Sequence, residues 1–263
     1  MTDDPKVEDT PPVVPGDHRA RPSGLAPAAV GQIGSFLLAG LVIAALFYDP
    51  DTSSRLEPGI WPVVAQFPLL WVGLYASLSF AARSRKESVR ALTGFSVHRK
   101  DLLYTLAGVM LQYGGGAVYY FLNRDEEAGQ SAKDLIANAR NNTVGFVVLA
   151  FLVGVGAPVI EEMFYRGLVT QGFQRLFRQR FGAPRPRATV GLSVLLSSLW
   201  FGAIHLQPLQ FPLLFVVGVV CAVLTLRTGR LGPAIFVHVG FNLTTVIALG
   251  LDLRSKSEAI WPL

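Results

Sequence analysis

Long apolar segments alternate with short polar ones along most of this 263-residue chain. Seven of the apolar runs are long enough to be predicted as transmembrane helices, since about 20 residues of helix cross roughly 30 Å of hydrocarbon. They lie at 28–47, 60–82, 102–122, 144–165, 190–206, 209–226 and 231–251. One such run could be a buried core helix, but seven could not. The pattern predicts an all-α fold, a polytopic transmembrane helical bundle of about seven spans.

The two ends of the chain differ from this apolar region. Residues 1–27 are rich in Pro, Asp, Gly and Arg and are predicted to form a disordered cytoplasmic tail. The tail opens with acidic residues, whereas a secretory signal peptide opens with basic ones, so we expect no cleavage. We assign residues 28–251 to the transmembrane domain and residues 252–263 to a short C-terminal tail. The half of the domain that carries the candidate catalytic motifs is 144–250.

The composition agrees with a lipid environment. Hydrophobic residues make up 51% of the chain and charged residues 16%, against roughly 25% charged residues in soluble domains. The net charge of +5 does not indicate nucleic acid as a partner, because the basic residues lie between apolar runs and not on one face of a soluble module. The expected partners are the lipid bilayer and a membrane-associated substrate; the oligomeric state is left open.

The connecting segments carry an uneven positive charge. Summed over alternate segments, 17 of the 23 Lys and Arg residues fall on one side of the predicted membrane. Because positive loops are retained inside, we expect a cytoplasmic N-terminus and an external C-terminus. An excess of arginine over lysine and abundant alanine suggest a bacterial source, and hence the cytoplasmic membrane of a bacterium.

The fourth apolar run ends in the sequence Glu-Glu-Met-Phe-Tyr-Arg, which carries three of the candidate site residues. Ionisable groups within membrane spans cost several kcal/mol unless they are paired or face a cavity, so each indicates a functional site. Glu162 and Arg166 are four residues apart, the spacing at which an acid and a base pair on a helix. Glu161 points about 100° away and is free for another partner. The simpler alternative is a helix end with solvated charges.

Two further clusters place histidines in separate helices. Phe201 and His205 are one helical turn apart and project from one face. His238 and Asn242 are also one turn apart, so both could donate to a single oxygen atom. The simpler alternatives are an interfacial anchor for His205, and hydrogen bonding between helices for His238 and Asn242.

The order Glu-Glu-x-x-x-Arg, Phe-x-x-x-His and His-x-x-x-Asn, each in its own apolar helix, resembles the family of CAAX prenyl proteases and bacteriocin-processing enzymes, also called the Abi or type II CAAX endopeptidase family. The likeness covers roughly residues 144–250, and all three motifs match without substitution. The first three apolar runs share with the family only their membrane-spanning character.

The resemblance implies hydrolysis of a peptide bond within the bilayer. Glu161 and His205 would activate water, and His238 and Asn242 would support the oxyanion. Glu162 and Arg166 would orient the site. The implied substrate is a membrane-associated peptide or protein; in a bacterium a prenylated substrate is not expected.

Metal dependence is left open by the sequence. The zinc-protease motif His-Glu-x-x-His on one helix is absent, and the single Cys221, in an apolar run, is expected to be a passive thiol. Two histidines and a carboxylate from separate helices could still form a His2Glu zinc site. We favour a mechanism without a metal cofactor and keep zinc or another divalent metal as the alternative.

The predicted helix bounds place two of the candidate residues at different depths. Glu161 lies near the cytoplasmic end of its predicted span, whereas His205 lies late in a helix that runs outward. Their meeting requires the fifth helix to start deeper, near Ser193, or to extend through Pro208.

Two rival functions share these sequence features. A transporter or channel is the main one, because intramembrane carboxylates and histidines also mark ion pathways. A noncatalytic scaffold of the same fold is the second. Transporters are often built from repeated halves, and no such repeat is found in this sequence, so the protease interpretation is favoured.

Overall fold

The structure is a computed structural model that describes residues 24–47, 60–122, 142–181 and 186–258. Within these ranges the regular structure is helical throughout, without a strand, which confirms the predicted all-α fold. Residues 1–23 of the predicted tail and the last residues, 259–263, lie outside the described part of the chain.

Eight helices are described, and their bounds differ from the predicted apolar runs mainly in the second half of the chain. They are α1 (Leu25–Phe47), α2 (Ile60–Ser84), α3 (Val89–Thr93), α4 (Thr105–Leu122), α5 (Thr143–Phe181), α6 (Pro186–Ile204), α7 (Phe211–Thr228) and α8 (Gly232–Glu258). A 3₁₀ turn, Arg99–Tyr104, leads into α4. The last helix passes the predicted boundary at 251 and continues to Glu258.

Six helices of the described part are long and apolar enough to cross a membrane: α1, α2, α5, α6, α7 and α8. Helix α4 is an 18-residue apolar helix that packs along α8, so the bundle agrees with about seven spans. Large apolar side chains cover much of its surface, as with Met110, which is 74% exposed. Such a surface is stable in lipid and not in water.

Small residues hold the first two helices together. A Cβ atom added to Gly31 of α1 would lie 2.6 Å from the carbonyl oxygen of Gly73 in α2. The hydroxyl of Ser77 donates to the carbonyls of Pro27 and Gly73, both at 2.9 Å. Close backbone approach of this kind is the usual way helices associate in a membrane.

Helix α5 departs furthest from its predicted bounds. It runs without a break for 39 residues, from Thr143 to Phe181, whereas its apolar run was predicted to end at 165. At 1.5 Å per residue it is about 57 Å long, well beyond the hydrocarbon thickness. It contains two π-helical segments, Leu152–Gly156 and Tyr165–Thr170, and its last part is an amphipathic helix.

The length of α5 explains how His205 reaches Glu161. Helix α6 packs antiparallel along the second half of α5, with Thr170 bonded to Ser197 at 2.9 Å. It starts at Pro186 and ends at Ile204, so both proposals for its boundary, a start near Ser193 and an extension through Pro208, were wrong. Because α5 continues to Phe181 before α6 runs back along it, the last turn of α6 lies level with Glu161 and Glu162.

One end of the bundle, here called the basic end, is formed by helix ends and loops around residues 24, 83–101, 168–181, 186–187 and 227–232. Its loops are joined by backbone hydrogen bonds, from Leu231 to Gly94 at 3.2 Å and from Gly232 to Ser96 at 3.1 Å. It holds 12 of the 15 Lys and Arg residues in the described part of the chain. They are Arg83, Arg85, Lys86, Arg90, Arg99, Lys100, Arg175, Arg178, Arg180, Arg187, Arg227 and Arg230.

Candidate active site

Helices α5, α6 and α8 bring the charged motif residues together inside the bundle. Glu161, Glu162 and Arg166 come from α5, His205 follows the last residue of α6, and His238 comes from α8. The site lies below the level of the basic-end loops. Six residues of helix separate Gly232 from His238, a rise of about 9 Å.

Glu162 and Arg166 form the ion pair that their spacing predicted. The Nε atom of Arg166 lies 3.0 Å from Oε2 of Glu162, and the two side chains are 1% and 0% exposed. Arg166 also donates through Nη2 to the carbonyl of Gly218 in α7 at 3.2 Å. Its guanidinium carbon lies 4.6 Å from the ring centroid of Phe201, a cation–π distance. These contacts compensate the charges that burial would otherwise penalise.

The other oxygen of Glu162 holds His238. Oε1 lies 2.9 Å from Nδ1 of His238, which is 2% exposed. Because an ionised carboxylate only accepts, Nδ1 of His238 carries the hydrogen of this bond. Glu162 therefore fixes the ring orientation and turns Nε2 toward the remaining carboxylate.

Glu161 lies between the two histidines. Its Oε2 atom is 4.0 Å from Nε2 of His205 and 3.9 Å from Nε2 of His238. Glu161 is 19% exposed and His205 is 27% exposed, so this part of the site is open to its surroundings. The separations are too long for direct hydrogen bonds, and they are suitable for a small molecule lying between the groups.

A backbone carbonyl orients His205. Its Nδ1 atom lies 2.7 Å from the carbonyl oxygen of Phe201, one turn earlier. The carbonyl can only accept, so Nδ1 donates and Nε2 is left facing Glu161. The chain turns away directly afterwards, since Leu206 has a φ of 54°, a left-handed value that is uncommon for such a residue. This turn exposes His205 at the helix end.

Phe201 has a structural role that its place in the motif did not reveal. Its ring is fully buried and meets the rings of His205 and His238 edge to face, with centroids 4.8 and 5.5 Å away. The ring of Tyr165 packs on it in the same manner at 5.1 Å. Phe201 thus sets the separation of both histidines from the ion pair.

Asn242 makes a contact that its spacing from His238 did not predict. Its Nδ2 atom donates to the carbonyl of Val153 at 2.8 Å. The π-helical segment explains this bond: the N–H of Ala157 bonds to Leu152, and Pro158 has no N–H, so the carbonyl of Val153 has no helical donor. Asn242 supplies the missing donor and keeps a second amide hydrogen.

Two contacts of the site were not predicted from the sequence. The hydroxyl of Tyr165 donates to Gln32 of α1 at 2.9 Å, and both side chains are buried. A signal for Gln32 existed, since an amide in an apolar run is expensive unless it is bonded. The carbonyl of Gly218 had no such signal, because any residue carries one.

The donor atoms of the site meet part of what zinc requires. The three atoms that face each other are two imidazole nitrogens and one carboxylate oxygen, a set that zinc accepts, and each histidine has the hydrogen-bonded Nδ1 typical of metal ligands. Ligands of tetrahedral zinc, however, lie about 3.3 Å apart. Within the described residues no three such side chains are close enough to hold an ion. The chemistry fits zinc, and the present spacing does not.

Comparison with known proteins gives two findings. Residues 143–244 match the family model described as "Type II CAAX prenyl endopeptidase Rce1-like". The chain is also 24% identical over 215 residues to a Bacillus subtilis (strain 168) protein described as "Putative membrane peptidase YdiL", with 79% of each chain covered. No solved structure matches this chain. The matched segment contains all three motifs.

Proposed function

Because this chain belongs, through residues 143–244, to the family of CAAX prenyl proteases and bacteriocin-processing enzymes, we propose that it is an intramembrane endopeptidase in which Glu161 and His205 activate the attacking water. One observation carries the proposal: Oε2 of Glu161 lies within 4.0 Å of Nε2 in both His205 and His238. The substrate is a membrane-associated peptide or protein.

The arrangement around Glu161 and His205 suits water activation. A water about 2.8 Å from each of two acceptors that are 4.0 Å apart donates one hydrogen to Oε2 and the other to Nε2. Glu161 takes the proton as the water attacks the carbonyl carbon of the scissile bond, and later delivers it to the leaving amine. His205 holds the water in line through the ring orientation that Phe201 fixes.

His238 is proposed to stabilise the oxyanion. With Nδ1 bonded to Glu162, a second proton on Nε2 makes the ring an imidazolium that can donate to the developing negative charge.

Asn242 is proposed as the second donor to the oxyanion. One amide hydrogen of Asn242 donates to the carbonyl of Val153, and this bond anchors the side chain. The second amide hydrogen remains available to donate to the oxyanion. Removing one such donor commonly costs about 10²-fold to 10³-fold in turnover. Glu162 and Arg166 touch no reacting atom in this scheme and act as positioning residues.

We place the basic end in the cytoplasm, and with it the N-terminus. The support is the concentration of arginine and lysine at that end of the bundle. We propose that the membrane is the cytoplasmic membrane of a bacterium. The scissile bond of the substrate must then reach a site about 9 Å deeper in the bundle than the cytoplasmic loops.

The function can be tested before the substrate is identified. A host strain that lacks the protein is complemented with wild type or with Glu161→Gln. New peptide N-termini in its membranes are then identified by mass spectrometry. We expect a set of termini that requires the wild type and disappears with Glu161→Gln. Identical profiles would contradict the proposal. Repeating the assay on purified protein after exhaustive chelation separates the mechanisms: retained cleavage supports the metal-free scheme, and loss that zinc restores supports the metal alternative.

A further inference from the structure

The loop between α6 and α7, residues 205–210, begins at the active site. Its first residue is His205, and the five residues that follow are all exposed. Leu206 is 78% exposed, the highest value for a large apolar side chain in the described part of the chain. An apolar side chain without a covering partner therefore directly follows a residue of the candidate active site.

The backbone of Leu206 adopts a conformation that disfavours leucine. Its φ of 54° is left-handed, and Lys86 is the only other non-glycine residue of the described ranges with a positive φ. A residue with a Cβ atom is less stable in this region than glycine. The N–H of Leu206 bonds to the carbonyl of Ala203 at 3.2 Å, so the turn is held without help from the side chain. Glycine or asparagine would fit the turn better, and the fold alone does not explain a leucine.

The surroundings of the loop must be accessible to water. The loop starts at the depth of the site, since Nε2 of His205 lies 4.0 Å from Oε2 of Glu161. Non-helical backbone at membrane depth is stable only where it is buried in protein or lines a water-filled cavity. The loop is exposed, so it lines a cavity of this kind, and the exposed amides of Gln207 and Gln210 suit such a place. In these surroundings Leu206 is unfavourable until an apolar group covers it.

The substrate is the group that must come to this place. A peptide bond cleaved between Glu161 and His205 brings its neighbouring residues to the edge of the site. The Cα atoms of His205 and Leu206 are about 3.8 Å apart, as in any trans peptide. A substrate side chain next to the scissile bond can therefore reach Leu206.

We propose that Leu206 is a specificity-determining residue, which contacts an aliphatic or aromatic side chain of the substrate next to the scissile bond. The inference rests on the proposed endopeptidase function and names the residue type that the site selects. It assigns the left-handed leucine a function, since a strained backbone at an active site is often retained for its role there.

The test measures kcat/KM in proteoliposomes with peptides built on a bond found by N-terminal profiling. Each of the two positions on either side of the bond carries leucine or alanine. At one position the wild type should prefer leucine by about tenfold or more, as contacts in an apolar pocket do. The preference should fall toward one in Leu206→Gly and Leu206→Asn, and Leu206→Met, which keeps an unbranched apolar chain, should retain it. Leu103→Ala is the control, since Leu103 is 69% exposed in the turn before α4.

Thermal unfolding separates a substrate contact from a structural role. Leu206→Gly should unfold close to the wild-type temperature, because relief of the left-handed backbone offsets the added freedom of the unfolded chain. A marked fall would assign Leu206 a structural role and overturn the inference. An unchanged preference in Leu206→Gly, or an equal loss with leucine and alanine peptides, would also overturn it, while cleavage that requires Glu161 left the proposed function standing. Absence of any cleavage that requires Glu161 would refute both.

Discussion

The Nδ1 atom of His238 lies 2.9 Å from Oε1 of Glu162, so one of two adjacent carboxylates is committed to holding an imidazole ring. The adjacent Glu161 is partly exposed and meets the free Nε2 of the same ring at 3.9 Å. Consecutive residues on a helix point about 100° apart, and in the proposed mechanism that difference separates a positioning carboxylate, Glu162, from a reactive one, Glu161. Substitutions in and around the site test this division of roles.

Arg166→Ala should lower both the yield and the activity of the protein. The substitution leaves Glu162 buried without its cation, which typically costs roughly 3 to 5 kcal/mol, and it frees the carbonyl of Gly218. Thermal unfolding in detergent measures the loss. The exposed Arg180→Ala is the control, and a normal unfolding temperature for Arg166→Ala would show that the ion pair contributes little.

Gly108→Ala should disturb the site from a distance. A Cβ atom at Gly108 would lie 1.9 Å from the carbonyl oxygen of Val237, the residue before His238, so α4 and α8 must separate. We expect a loss of about 1 to 3 kcal/mol in stability, together with reduced turnover. Gly114→Ala on the same helix meets no atom within 4 Å and should be neutral or stabilising. Similar behaviour of the two variants would contradict the packing described for α4.

Asn242→Ala should reduce turnover about 10²-fold to 10³-fold, as the loss of one oxyanion donor does. It should also lower stability by about 1 to 3 kcal/mol, because the carbonyl of Val153 loses its donor. Steady-state kinetics and thermal unfolding are measured on the same samples. A loss of stability with unchanged turnover would assign Asn242 a purely structural role.

Asp101→Asn should destabilise the protein in a manner that depends on pH. Burial raises the pKa of Asp101, but the hydrogen bond from Arg230, the backbone N–H of His98 and the nearby positive charge outweigh it, so the pKa is lowered. A lowered pKa adds stability above the unfolded value of about 3.9, and this stability is lost as the pH falls through the folded pKa. Unfolding temperatures of wild type and variant should therefore differ at pH 7 and converge as the pH falls below the folded pKa of Asp101. A constant difference would contradict the ion pair.

The sequence was sufficient to predict the features that depend on spacing within one helix. The all-α bundle follows from the length of the apolar runs, and the Glu162–Arg166 pair follows from their separation of four residues. The contact of Phe201 with His205 follows from the same rule.

The features that depend on backbone irregularity were not predictable in this way. The partner of Asn242 is a carbonyl that becomes available only because α5 is π-helical at Val153. The end of α5 was misplaced because hydropathy reports the apolar length of a helix and not its continuity. The spacing of Phe173, Leu176 and Phe177 carried the signal, since apolar residues three and four apart predict an amphipathic continuation.

The turnover of Glu161→Gln tests the central claim most directly. The amide keeps the shape of the carboxylate but cannot accept the proton of the attacking water, so kcat should fall by at least about 10²-fold with little change in binding. The measurement uses purified protein in proteoliposomes, on a peptide bond first identified by N-terminal profiling, with equal unfolding temperatures as the check on folding. Near-normal hydrolysis by folded Glu161→Gln would contradict the account and make Glu162 the next candidate for the base.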